Sequence, residues 1–435
     1  MVKVCKFGGT SMASVASITQ VKDIILSDPA RKFVVVSAPG KRFGDDIKVT
    51  DLLLEAYREK CEFGSCGNAF ELIRDRFVGL CRDFDLDLDI DRYLDETEAG
   101  INNSTSSDFA ASRGEYLSAL VVAEVLGYRF VDAAEIVKFK VDGTFDAEYT
   151  NDLVAALKNA EGGIVIPGFY GRMPDGTIKT FSRGGSDVTG AIVARGVSAD
   201  VYENWTDVNG FMVTDPRIVK NPRHIAALSY EELRELSYMG ASVLHPDSIF
   251  PVKYNKIPIN IRNTFEPENP GTLILASTDG YDLPLITGIA GRKGNVTILI
   301  KKSMMNGEVG FTRKVLSVLE RHGISVEHIP TGIDTMSIVL SDVGDASLLE
   351  KIVEEIRGAV NPDTVEVVGK IALIAVVGHG MANRLGTAAT IFNALYQASV
   401  NVRMIDQGSS ELNIIVGVEE SDYAKAIDAI YHAFF

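Results

Sequence analysis

Val2-Lys3-Val4-Cys5-Lys6-Phe7-Gly8-Gly9-Thr10-Ser11 reads as a short strand running into a paired-glycine turn, with a helical pattern from Ser14 to Asp28 behind it. Paired glycines let a backbone approach an anion closely and adopt φ > 0. Free N–H groups at a helix start favour negative charge. Lys6 adds a mobile full charge. Taken alone, the string reads first as a tight turn carrying a surface lysine.

The same strand-then-helix rhythm extends outward. Phe33-Val34-Val35-Val36-Ser37 ends at Pro39-Gly40, and Gly163-Ile164-Val165-Ile166-Pro167-Gly168 has the same form. Asp200 to Asn204 and Pro258 to Arg262 complete a set of short strands, separated by helical patterns such as Glu115 to Leu126 and Asp187 to Val197. This alternation predicts an α/β domain with a mainly parallel sheet, whose ligands lie beyond the carboxyl ends of the strands. Residues from about 41 to 106 differ: they are charged and helical in pattern, and read as a helical insertion. The carboxylates of Asp83 to Asp95 lack a Ca²⁺-loop spacing and read as a solvated acidic face.

A second glycine pair decides between the two readings of the first. Ser182-Arg183-Gly184-Gly185-Ser186-Asp187 also opens a helix, and it adds a carboxylate. Asp187 fits either an N-cap or a partner for lysine charge and Mg²⁺ waters at a phosphate. No GxxxxGK[ST] string occurs in the chain. A third segment, Asn204-Trp205-Thr206-Asp207-Val208-Asn209-Gly210 through Thr214-Asp215-Pro216-Arg217, follows a strand and is dense in turn residues.

Beyond the turn-rich Phe265 to Gly271 lies an internal repeat. Val315 to Glu327 aligns without a gap onto Ile391 to Arg403, an offset of 76 residues that also matches Gly310 to Gly386 and Ser337-Ile338-Val339-Leu340 to Asn413-Ile414-Ile415-Val416. Each copy reads as βαββαβ, the ferredoxin-like order.

Composition excludes several classes. The 435 residues are 46% hydrophobic and 23% charged, the balance of a folded protein of two or three domains. A net charge of −16 argues against nucleic-acid or membrane-surface binding. No apolar run approaches the ~18 residues of a membrane span, no leader is expected, and the four cysteines form no CxxC pair. A cytoplasmic location is expected.

Taken together and in this order, the motifs Lys6 to Ser11, Gly168-Phe169-Tyr170-Gly171, Arg183 to Asp187 and Thr206 to Arg217 resemble those of the aspartate kinase family. That resemblance implies a three-layer αβα amino-acid-kinase domain with a mainly parallel sheet over residues 1–275. Two ferredoxin-like ACT domains would follow at 285–365 and 366–435. It implies ATP and Mg²⁺ as cosubstrate and ion, with no metal held directly by the protein, and L-aspartate as phosphoryl acceptor. Lys6 and Asp187 would be the catalytic pair. Ser37, Thr50, Glu115, Phe169, Arg183 and Ser186 would hold the substrate, Glu115 taking its ammonium. Lys6, Gly8, Gly9, Ser11, Thr206, Asp207, Met212, Arg217 and Ser242 would form the nucleotide site. At the last of these the chain departs from the family, since relatives carry lysine within Gly-Ala-Lys-Val-Leu where Gly240-Ala241-Ser242-Val243-Leu244 stands here. An amino-acid effector, lysine, would meet Met305, Glu308, Gly310, Phe311, Ser325, Val326 and Glu327. The ACT domains would also build a homodimer or a tetramer. Other kinases of the same fold, acting on glutamate, acetylglutamate, carbamate or UMP, and a non-catalytic amino-acid-binding regulator, are the competing readings.

Overall fold

The computed structural model describes all residues except 183, 242, 243, 245–247, 249 and 342. The chain divides into two compact units: Met1–Phe211 with Ala226–Tyr230 and Val243–Tyr281, and Met212–Ile225 with Glu231–Ser242 and Asp282–Phe435.

Among the described residues, the sheet of the first unit has eight strands. They are β1 (Lys3–Phe7), β2 (Arg31–Val36), β3 (Arg129–Phe130), β4 (Ile164–Pro167), β7 (Val201–Thr206), β8 (Ala227–Ser229), β9 (Ile259–Asn263) and β10 (Thr272–Leu275), in the order β3-β4-β2-β1-β7-β9-β10-β8. Among these described strands, only the β9–β10 pair is antiparallel. A separate hairpin pairs β5 (Tyr170–Arg172) with β6 (Ile178–Thr180). Val34, Val35 and Val36 are fully buried, which explains a continuous β-branched run instead of an alternating one. The pleat sends Cys5, Phe7, Val34, Val36 and Trp205 into one core with the helices α1 (Val15–Leu26), α2 (Val49–Phe63), α3 (Asn68–Asp83), α4 (Ile90–Asn103) and α5 (Ser107–Leu126). Each such side chain contributes about 1.5–3 kcal/mol of burial. After the shorter α6 (Ala133–Ile136) and α7 (Ala147–Ala155), α8 (Gly185–Gly196) covers the opposite face, packing on β1, β2 and β7. The expected helical insertion is therefore α2 to α4, laid over the sheet's first face. Arg74 of α3 pairs with Asp91, Asp95 and Glu98, so part of the acidic face is neutralised on site.

Sheet order reverses at β1: the chain builds outward through β2 and β4, then returns to add β7 on the other side. A crevice forms at such a reversal, at the carboxyl ends of the strands. Lys6 closes β1, Ser37 follows β2, Phe169 follows β4, and Asn204 lies near the end of β7.

The second unit carries one five-stranded sheet, β12-β11-β13-β15-β14, from β11 (Gly288–Lys301), β12 (Thr335–Leu340), β13 (Thr364–Val377), β14 (Val402–Asp406) and β15 (Asn413–Glu419). Its helices are α9 (Tyr230–Tyr238), α11 (Phe311–Arg321), α12 (Ala346–Val360), α13 (Thr387–Gln397) and α14 (Tyr423–Phe434); α10 (Phe250–Lys253) belongs to the first unit. Both βαββαβ copies are recognisable, with two departures from the sequence reading. In the first copy the expected second strand makes only isolated bridges, His328 to Val339 and Thr331 to Met336. In the second copy the fourth strand does not follow α14. It comes from upstream, where Gly288 to Arg292 pair with Val377 to Leu373. The boundary expected at residue 366 falls inside β13.

Candidate active site

Two loop pairs shape the site, and both depend on glycine. A Cβ on Gly40 would lie 2.8 Å from the Gly9 carbonyl carbon, and one on Gly9 would lie 2.9 Å from the Ala38 oxygen. The turn after β1 thus lies directly on the loop after β2, with the Gly40 N–H donating to Gly9 O at 2.8 Å. Opposite them, a Cβ on Gly185 would fall 2.3 Å from the Phe169 ring. Phe169 itself has φ of 79°, a left-handed conformation that costs a non-glycine residue free energy. Its N–H donates to Thr189 Oγ1 at 3.0 Å, which holds the strained residue against the start of α8.

These loops enclose a pocket of ≈ 260 Å³ lined by Lys6, Ser37, Thr50, Glu115, Phe169, Gly184, Gly185, Ser186 and Asp187. Seven residues expected at the site from far-apart segments are therefore brought together. Gly184, with φ of 57°, is the N-cap of α8, so Asp187 is not the cap but the third helical residue. Its carboxylate meets Lys6 Nζ at 2.6 Å. The Asn204 amide donates to Asp187 Oδ1 at 2.9 Å, and the Tyr202 hydroxyl donates to its backbone oxygen at 3.0 Å. The β1–β7 register sets Asn204 beside Lys6, so one strand carries the cation and its neighbour fixes the counter-ion.

Glu115 is the anomalous group. It lies on α5, 5% exposed, and its Oε2 has no hydrogen-bond partner among the described residues. Burial, opposed by hydrogen bonds from backbone N–H groups including that of Ala38 and by the charges of Arg113 and Lys6, pushes its carboxyl up to about 8. A buried carboxylate oxygen without a partner costs about 1–3 kcal/mol or more. An entering cation would satisfy it.

The other expected residues are placed as follows. Gly8 and Gly9 form the turn, its N–H at Gly8 donating to Trp205 O at 3.1 Å. The Ser11 hydroxyl is buried against Thr264 Oγ1 at 2.8 Å and does not line the pocket. Thr206 and Asp207 are in the first unit, where Thr10 donates to Asp207 at 3.1 Å. Met212 and Arg217 are in the second unit, and Arg217 is exposed with its guanidinium forked onto Asp215. Arg183 and Ser242 lie outside the described residues. No cluster of three or more metal-ligating side chains occurs among the described residues. Of the expected effector residues, Met305 and Phe311 are buried in the first repeat's core with Val326 packed against it, and Gly310 caps α11. Ser325 is exposed. Glu308 is held by Lys302 and Lys314 at 2.5 and 2.7 Å, and Glu327 by Arg292 and the Tyr238 hydroxyl.

Residues 1–263 match the model of the amino acid kinase family, and residues 374–434 match an ACT domain. Aspartokinase 3 of Bacillus subtilis is 39% identical over 100% of this chain and 98% of its own. The chain belongs to the aspartokinase family. The aspartate kinase of Clostridium acetobutylicum superposes with a TM-score of 0.94 at 49% identity, each chain fully covered. Aspartokinase III of Escherichia coli in complex with aspartate and ADP superposes at 0.76 with 27% identity, again over the whole of both chains. Its complex with lysine and aspartate gives 0.75.

Sequence reasoning missed Asn204 as the residue that steadies Asp187. The signal was present in the strand pairing, since Asn204 occupies the β7 position level with Lys6. It also missed the Ala38 N–H that holds Glu115, because a backbone donor leaves no mark in the sequence.

Proposed function

We propose that this aspartokinase-family enzyme transfers the γ-phosphoryl group of MgATP to the β-carboxylate of L-aspartate, giving 4-phospho-L-aspartate and ADP, the first step toward lysine, threonine and methionine. One observation carries the reading: a single pocket holds Glu115, whose Oε2 has no hydrogen-bond partner among the described residues, and the Lys6–Asp187 pair. The first suits an α-ammonium, the second a phosphoryl group. N-acetylated acceptors have no ammonium to offer Glu115, which favours a free amino acid.

The acceptor carboxylate is ionised at neutral pH, with a reference pKa of ~4, so no general base is needed. Its oxygen attacks the γ-phosphorus while the bond to the β,γ-bridging oxygen breaks and ADP leaves with that electron pair. Lys6 stabilises charge on the transferring group, and Asp187 with Asn204 keeps the ammonium in place. Arg183 would hold a substrate carboxylate. Asp187 would orient the waters of a magnesium ion carried on the nucleotide, an ion that would supply neutralisation of phosphate charge. Residues 1–275 form the catalytic part in this reading. The 285–365 and 366–435 copies sense lysine through the Met305–Phe311 and Ser325–Glu327 segments and build a cytoplasmic homodimer or tetramer.

Trapping acyl phosphate as hydroxamate with MgATP tests the reaction. Aspartate should give product, and glutamate and acetylglutamate little. Failure with aspartate alongside turnover of another acceptor would overturn the assignment. Titration with lysine and threonine, singly and together, tests the sensor: inhibition by lysine is expected, and indifference to both would remove it.

A further inference from the structure

Helix α3 contributes nothing to the pocket lining, yet it delivers a buried guanidinium to the loops that shape the site. The Arg76 side chain is 3% exposed. Its Nη1 donates to Ile47 O at 3.1 Å, and its Nη2 donates to Ala13 O at 3.3 Å and to Gly40 O. Its charge faces Asp46 at 3.3 Å, which Arg42 also holds through its backbone N–H and its guanidinium, at 2.8–2.9 Å. Ala13 closes the short helical turn Gly9–Met12, and Gly40 is the residue whose N–H holds Gly9. Ile47 precedes Thr50, a pocket wall. One side chain therefore ties the far end of the glycine turn to both ends of the loop between Ser37 and Thr50.

A packing role alone would not call for this residue. A buried cation costs several kcal/mol of desolvation, and apolar replacements of buried ion pairs are often neutral or stabilising. Arg76 Nε has no acceptor among the described residues, so the arrangement is not optimised for stability. A planar fork can reach three carbonyls at fixed angles, whereas a lysine ammonium offers its donors from one point.

We propose that Arg76 is a positioning residue for phosphoryl transfer: it locks the Gly9–Met12 turn and the Gly40–Ile47 loop in register, so that Lys6 and Thr50 face each other across the substrates. This rests on the kinase reading above, and it gives the helical insertion a task in the reaction.

The test uses full-length Arg76→Lys, assayed about 20 °C below its own melting temperature with saturating MgATP and aspartate. Small misplacements of reacting groups cost up to about 10²-fold in rate. The expected result is a kcat per folded molecule at least about tenfold below wild type, with aspartate KM within about threefold. A purely structural residue would lower the melting temperature and leave kcat unchanged; a smaller fall in kcat overturns the proposal. Should Arg76→Lys not fold, Asp46→Asn decides. It frees the fork from its anchor, and a kcat loss of about fivefold or more is expected, anything less counting against the clamp. An inactive wild type would instead defeat the kinase reading, leaving the two failures distinct.

Discussion

Two buried glutamates, one in each unit, sit in opposite electrostatic states. Glu115 has an oxygen without a partner and a carboxyl pushed up to about 8 by burial. Glu327, its side chain 5% exposed, is already held by Arg292 and Tyr238. Its neighbour in the effector set, Glu308, is drawn below the usual carboxylate range by hydrogen bonds from Lys302 and Lys314. The first unit leaves one Glu115 oxygen without a partner among the described residues, a place that, in the proposed reading, an incoming ammonium would fill as the group ionises. The second meets its own demand, so in the proposed sensing role an effector ammonium would compete with resident cations. A substrate site gains from being poised, whereas a sensor gains from a threshold.

The largest effect expected from breaking this contrast lies beside Glu115. Lys6→Ala should lower kcat on the order of 10³-fold, since the pocket loses the cation proposed to meet the phosphoryl group. Circular dichroism should show the fold intact, and near-normal hydroxamate yield would disprove the role. Glu115→Gln comes next. Losing a charge-assisted contact worth about 1.5–3 kcal/mol should raise aspartate KM roughly 10- to 150-fold. The same variant should melt higher than wild type at pH 8 without substrate. A carboxyl whose folded pKa is raised adds stability below its unfolded pKa of ~4.3 and loses it as pH climbs toward about 8. A lower melting point at pH 8 would contradict the poised state.

The pH profile sharpens the comparison further. With Glu115 as the proposed partner of the aspartate ammonium, wild-type KM should fall as pH rises toward about 8, by up to ~10-fold per unit, and then level off. A flat profile would show that Glu115 is not the titrating partner. Glu115→Gln should remove the slope. The smallest effect is expected in the other unit. Arg292→Ala unlocks Glu327 and should tighten lysine inhibition by about 3- to 10-fold, near the scale of one exposed-to-buried ion pair. An unchanged inhibition curve would mean that Glu327 does not receive the effector.

Much of this was legible in the sequence because the pocket is made from strand ends, and strand ends carry glycine, serine and charge at recognisable spacings. Lys6, Ser37, Phe169 and Asp187 each sit where a strand or a helix terminates. The helical insertion and the repeat were also readable, from composition and from self-similarity. What escaped depends on pairing across the chain. Asn204 matters because β7 lies beside β1, Arg76 because α3 folds over Gly40, and Gly288 to Arg292 because they pair with Val377 to Leu373, some 80 to 90 residues later. No local pattern encodes a partner that distant.

The borrowed strand has a practical corollary. Residue Arg292 leaves the second copy beside Leu373, and Asn295 enters the first copy beside Ile371. The chain departs and returns through adjacent antiparallel strands, so the first copy is an insert with neighbouring entry and exit points. Joining Arg292 to Ile371 through a two-residue turn would excise that insert while keeping all four strands of the second copy. The same seam would accept a graft from another sensor, whereas a cut between the copies at residue 366 would leave the second one a strand short.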